Sequence, residues 1–152
     1  MDFTVENAGT TIACREYAGP DVSPDAPALV CVHGACVDGT FFNGIACELS
    51  RNYRVIAYDR RGCGGSSEAA DDSYDLAAQA ADLQALIEHV GAPTNVLAHS
   101  AGTLVAPMPL TALARECMRC SSNMRLRCRP CARRLNKSLR ALMTMRVDNL
   151  PF

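Results

Sequence analysis

What this chain of 152 residues lacks narrows its class before any motif is considered. It has no run of about eighteen uncharged apolar residues, so no segment is suited to cross a bilayer as a helix. The opening Met1-Asp2-Phe3-Thr4-Val5-Glu6 lacks the basic start and apolar stretch of an export signal, which points to a soluble, cytoplasmic protein. In a reducing compartment nine cysteines do not imply a disulfide framework. Cys14, Cys31, Cys36, Cys47 and Cys63 read instead as free, small hydrophobes. There is no internal repeat, and no cofactor is expected.

What is present is globular in composition, with 49% apolar and 20% charged residues. A single domain of this length buries roughly two thirds of its unfolded surface. The net charge of -1 conceals a division after Gly102: the first 102 residues hold five basic and fourteen acidic side chains, the last fifty hold ten and two. Two compositional regimes, -9 and +8, are joined in one chain.

In the acidic part, β-prone runs flank Asn7-Ala8-Gly9-Thr10, the pattern of a hairpin. Ala28 to Val32, Arg54 to Tyr58 and Asn95 to Ala98 are short continuous apolar runs, the signature of strands buried on both faces of a parallel sheet. A helix is expected over Phe41 to Leu49. A second, amphipathic helix is expected over Tyr74 to Val90, where Leu76, Ala80, Leu83, Ile87 and Val90 recur every three or four residues, with Ser73 capping its start and Gly91 its end. Strands alternating with helices predict an α/β fold, a mostly parallel sheet with an N-terminal hairpin.

Each predicted parallel strand ends on residues with chemical character. His33-Gly34-Ala35 follows the first, Asp59-Arg60-Arg61-Gly62-Cys63-Gly64-Gly65-Ser66 the second, and Ala98-His99-Ser100-Ala101-Gly102 spans the end of the third. In the last, Ala98 and Gly102 are small, as a tight strand-to-helix turn that lifts Ser100 above the sheet edge requires. With these three motifs in order, residues 1 to 106 resemble the serine-nucleophile branch of the α/β-hydrolase superfamily. The resemblance implies that Ser100 is the nucleophile and that the N–H groups of Ala35 and Ala101 form the oxyanion hole. It further implies hydrolysis of a small ester-like substrate (an ester, lactone or amide), and a serine at this turn points away from the dehalogenases and epoxide hydrolases of the fold, which carry aspartate there. Ala98 stands where glycine is commoner.

The same resemblance places an acid and then a histidine downstream of the serine. After Ser100 the chain contains only Glu116 and Asp148 as acids and no histidine. A serine hydroxyl without a base is a weak nucleophile, so the expectation is an incomplete and inactive copy of the hydrolase, cut off after the nucleophile turn. Of the histidines present, His89 reads as a surface or capping residue and His99 diverges from its neighbour. His33 is the one substitute base worth weighing, and the preferred reading is that it holds the oxyanion loop.

Beyond Gly102, Pro107 and Pro109 oppose helix continuation and arginines interrupt every apolar run from Arg115 to Arg146, so residues 107 to 152 read as a poorly structured basic tail without a buried strand. The charge break and the loss of strands together suggest a shifted reading frame or truncated gene after Ala106. A sheet ending at the third parallel strand would expose an edge prone to self-association. Cys117-Met118-Arg119-Cys120 and Cys128-Arg129-Pro130-Cys131 could close a zinc site, but the seven-residue separation is shorter than the usual spacing, and no metal is expected. The basic run has no aromatic residue before Phe152 to stack a base, so no specific nucleic-acid binding is expected. The rival reading is a non-catalytic interaction protein whose tail binds zinc or a polyanion.

Overall fold

A computed structural model describes residues 1–91 and 93–108, and the backbone of 142–147. Strand β1 (Asp2–Asn7) turns through Ala8 and Gly9 into β2 (Thr10–Tyr17). Both turn residues have positive φ, 48° and 77°, the conformation whose twist matches that of a two-residue hairpin. Strands β3 (Ala28–Val32), β4 (Arg54–Tyr58), β5 (Thr94–His99) and β6 (Leu142–Val147) follow, and the sheet order is β1-β2-β4-β3-β5-β6. β3 pairs in parallel with both β4 and β5, whereas β2 runs antiparallel to β4, so the three-stranded parallel core and its hairpin are as expected.

Every residue of β3 is buried, because the strand lies at the centre of the parallel core with a helical layer on each face. Alternate side chains go to opposite faces. Val30, Val32, Ile56, Val96 and Ala98 pack with Leu83, Leu86 and Ile87 of α2 (Leu76–Val90), while Leu29, Cys31, Val55, Ala57 and Leu97 pack with Phe42 and with Ala46 of α1 (Asn43–Leu49). Fully burying a leucine such as Leu83 contributes roughly 1.5–3 kcal/mol, so these two clusters carry most of the driving force.

Several local expectations are corrected. The segment expected as one helix from Phe41 begins as a 3-10 turn over Gly39–Phe42, capped by the Asp38 side chain, and becomes α-helical only at Asn43. α2 starts at Leu76 rather than Tyr74, and its cap is Asp75, whose carboxylate accepts the Ala78 N–H, not Ser73. Gly91 ends the helix as expected, in the left-handed conformation. Asp82, an acidic residue of that helix, is only 1% exposed, because Arg61 reaches it from the β4–α2 connection. Cys14 and Cys31 are buried, and loss of hydration pushes their thiols up to about 12; Cys36 and Cys47 are exposed.

The basic segment also requires correction. Leu142–Val147 forms β6, antiparallel to β5 from Thr94↔Val147 to His99↔Leu142, so the outer edge of β5 is paired. Continuous apolar runs mark strands buried on both faces. An edge strand is held by backbone bonds on one side and tolerates the alternating Leu-Met-Thr-Met-Arg-Val found here. Both C-x-x-C pairs lie outside the described residues.

Candidate active site

The register brings the motif-bearing loops together. Val32 is level with Tyr58 on one side and Ala98 on the other, so β3, β4 and β5 end at the same sheet edge and release His33-Gly34-Ala35, Asp59-Arg60-Arg61 and His99-Ser100-Ala101 side by side. The strand order reverses at β3, with α1 and α2 leaving on opposite faces. In open α/β sheets such a reversal point, at the carboxyl ends of the strands, is where ligands bind.

Ser100 occupies the turn between β5 and α3 (Gly102–Val105). It is exposed, and its φ of 51° lies in the left-handed region, which costs a non-glycine residue about 1–3 kcal/mol. The turn is tight on both sides. A Cβ placed on Gly102 would stand 2.5 Å from the Val32 carbonyl oxygen and 2.8 Å from that of His33. One on Gly34 would stand 3.0 Å from Ser100 Cβ and 3.1 Å from His99 Nδ1. Gly102 therefore lets α3 start against the end of β3, and Gly34 lets the first loop lie against the serine. Among the described residues no hydrogen bond occupies the N–H of Ala35 or of Ala101.

Three carboxylate-centred links hold this edge. Asp59 accepts the N–H groups of Gly39 and Gly65, both at 2.7 Å, joining the loops after β3 and β4. Asp38 caps the 3-10 turn at Thr40. Asp82 takes two hydrogen bonds from Arg61, at 2.7 and 2.8 Å, and one from Asn7 Nδ2, tying α2 to the hairpin and to the β4 loop.

All three histidines are described. His33 is fully buried; its Nε2 accepts the Arg60 N–H at 2.9 Å, so the proton sits on Nδ1, which donates to the Gly34 carbonyl at 2.8 Å. Burial holds its basicity below the ordinary histidine value. Its one lone pair is occupied, in keeping with a histidine that organises the loop. His89, exposed on the last turn of α2, stacks on Phe3 with ring centroids 5.4 Å apart. His99 stacks on Phe41 at 4.3 Å, and its Nδ1 is buried without a partner among the described residues. No hydrogen bond joins Ser100 to any of the three.

The chain matches the alpha/beta hydrolase family over residues 29–147, a span that continues past Ala106 into the basic segment. The chain belongs to the α/β-hydrolase family. The magnesium-chelatase 30 kDa subunit of Rhodobacter capsulatus is 36% identical over 102 residues, 62% of this chain and 36% of that protein. Epoxide hydrolase VrEH1 of Vigna radiata superposes with a TM-score of 0.61 at 27% identity, covering 70% of this chain and 33% of that one. The thioesterase domain of the curacin biosynthetic pathway gives a TM-score of 0.64 at 26% identity, covering 76% and 42%. This α/β-hydrolase chain thus spans only about a third to two fifths of the length of these relatives.

Arg60 and Phe41 escaped the sequence reading of the site. Arg60 occupies the variable position of the Asp-x-Arg-Gly motif, and a side chain there is indistinguishable in sequence from a solvated arginine. Phe41 lies in a predicted helix whose exact start decides where its ring points. No helix among the described residues is long and apolar enough to cross a membrane, and no group of His, Cys, Asp and Glu among them could hold a metal ion.

Proposed function

We propose that this chain carries the nucleophile side of a serine hydrolase acting on an ester-like bond. In this reading Ser100 is the nucleophile and the N–H groups of Ala35 and Ala101 receive the oxyanion. The observation that carries it is the left-handed, exposed Ser100 at the level end of three parallel strands, in contact with the Gly34 loop. Attack by Ser100 Oγ on a carbonyl carbon moves negative charge onto the carbonyl oxygen, and backbone donors fixed in advance stabilise that charge without reorganising. The serine proton must leave as the C–O bond forms, and a base has to accept it. The lone pair of His33 is already used, His89 lies on α2, and His99 makes no bond to the serine. The 152-residue chain by itself therefore turns over little, for want of a base rather than of a nucleophile.

The experiment is p-nitrophenyl acetate hydrolysis by wild type, Ser100→Ala and His33→Ala, with increasing imidazole as an external base. Subtracting the Ser100→Ala rate removes the contributions of free imidazole and of the cysteines. The expected difference is near zero without imidazole and grows as imidazole is added. No difference at any imidazole concentration overturns the assignment of Ser100. Turnover without imidazole that is lost in both variants would instead make His33 the base.

A further inference from the structure

Arg60 makes three hydrogen bonds beside the proposed oxyanion loop. Its Nη2 donates to the Gly34 carbonyl at 2.7 Å, its Nη1 donates to Gln79 Oε1 at 2.7 Å, and its backbone N–H donates to His33 Nε2 at 2.9 Å. Gln79 is itself held, its Nε2 donating to the Tyr74 carbonyl at 2.7 Å. The guanidinium is thus braced on α2 and aimed at one carbonyl oxygen in the loop after β3. His33 Nδ1 donates to the same oxygen.

The Gly34 carbonyl and the Ala35 N–H belong to one peptide unit. No peptide bond among the described residues is cis, so within that plane the two groups point in opposite directions. Fixing the oxygen fixes the direction of the N–H. A cationic donor on the oxygen also polarises the unit, making the hydrogen at its other end a better donor. The two donors, one of them charged and anchored to a helix, fill both lone pairs of that carbonyl oxygen. The Arg60 Nε is buried with no partner among the described residues, so the side chain is positioned by its two terminal nitrogens.

We infer that Arg60 is a positioning residue for the oxyanion hole: by gripping the Gly34 carbonyl it orients and polarises the Ala35 N–H toward the oxygen on which charge develops. The inference rests on the proposed roles of Ser100 and Ala35. Its geometry, a guanidinium on the far end of the donor's own peptide, is independent of them. Arg60 does not touch the substrate and acts only through that peptide.

The test uses the isotopically labelled full chain and follows two nuclei by NMR, the Ala35 amide nitrogen and the Gly34 carbonyl carbon. Both report hydrogen bonding at the Gly34 oxygen. In Arg60→Met both are expected to move upfield while the amides of Val30 and Val96 stay in place. Arg60→Lys, which keeps a cationic donor, is expected to lie closer to wild type. Should Arg60→Met disturb the sheet amides, Arg60→Gln, a neutral donor, decides by the same two nuclei. The companion readout is the rate at which a fluorophosphonate labels Ser100 in imidazole, expected to fall about tenfold in Arg60→Met, part of the 10²–10³ lost when an oxyanion donor is removed. Unmoved Ala35 and Gly34 signals in a folded Arg60→Met or Arg60→Gln overturn the inference. Wild type that resists labelling while those signals shift overturns the nucleophile assignment and leaves the Arg60 grip standing.

Discussion

The substitution Gly102→Ala separates two physical effects that a sequence-based estimate would confuse. Gly102 has helical backbone at the start of α3, and on propensity alone alanine should be better there by up to about 1 kcal/mol. The added Cβ would, however, meet the Val32 carbonyl oxygen at 2.5 Å, the His33 oxygen at 2.8 Å and the Val32 carbonyl carbon at 3.0 Å. All three are backbone atoms of β3 or of the loop leaving it, and no rotamer change relieves the contact. α3 must move away from the strand, opening the seam lined by Val105 and Ala106, both essentially buried. Forcing a methyl into a packed interior costs about 1–3 kcal/mol, so the net expectation is a loss of about 1–2 kcal/mol once the propensity gain is counted. Gly44→Ala is the matched control. That glycine lies inside α1 with nothing within 4 Å of its would-be Cβ, and the same change there should stabilise by about 0.5–1 kcal/mol. Urea unfolding followed by circular dichroism measures both. With a slope of about 1–3 kcal/mol/M, the Gly102→Ala midpoint should fall by roughly 0.5–1 M and that of Gly44→Ala should rise, with slopes unchanged. A Gly102→Ala protein as stable as wild type would refute the close approach of α3 to β3, and with it the tightness of the Ser100 turn.

Three further outcomes follow from the same geometry. Asp82→Ala leaves the Arg61 guanidinium buried beside no carboxylate and should cost about 3–5 kcal/mol, whereas Asp2→Ala, at an exposed pair with Arg15, should shift urea stability by less than about 0.5 kcal/mol. His33 is held neutral by burial, so the unfolded chain binds a proton more readily as pH falls through the ordinary histidine value of 6.5; native stability should be fully present above that value and decline below it. Thermal unfolding between pH 7.5 and 5 on the order of the histidine range should therefore slope more steeply for wild type than for His33→Asn, and equal slopes would refute the buried, neutral imidazole. Ser100→Gly should be more stable than Ser100→Ala by about 1 kcal/mol, because only glycine adopts a φ of 51° without cost; equal urea midpoints would deny the strain at that residue.

Much of this was legible in the sequence because the informative residues report on backbone rather than on partners. Ala28 to Val32 and Arg54 to Tyr58 are apolar runs too short for helices, and the turn-forming Ala98-His99-Ser100-Ala101-Gly102 needs small residues at its ends whatever surrounds it. Those constraints are local. Long-range partnership was less legible. Asp82 looks like a surface acid until Arg61, 21 positions earlier in sequence, is folded onto it. Arg60 looks solvated until β3 and β4 become neighbours and its guanidinium meets the Gly34 carbonyl. β6 was missed for a related reason, since an edge strand gains its order from pairing with β5, a contact separated by more than forty residues that leaves little trace in its own composition. The helix starts failed by two residues, at Leu76 and Asn43, because an aspartate cap in one and a 3-10 turn in the other set the boundary.

The central claim, that Ser100 is a nucleophile waiting for a base, is tested most directly by covalent mapping. The full chain is incubated with a fluorophosphonate, with and without imidazole, then digested, and the phosphonylated serine is located by mass spectrometry. Attack forms the Oγ–P bond, releases fluoride and passes the serine proton to imidazole. The account predicts an adduct on Ser100 that grows with imidazole, far exceeding any on Ser66 or Ser67 in the neighbouring glycine-rich loop. Labelling of Ser100 no greater than that of those two serines, at every imidazole concentration, would contradict it.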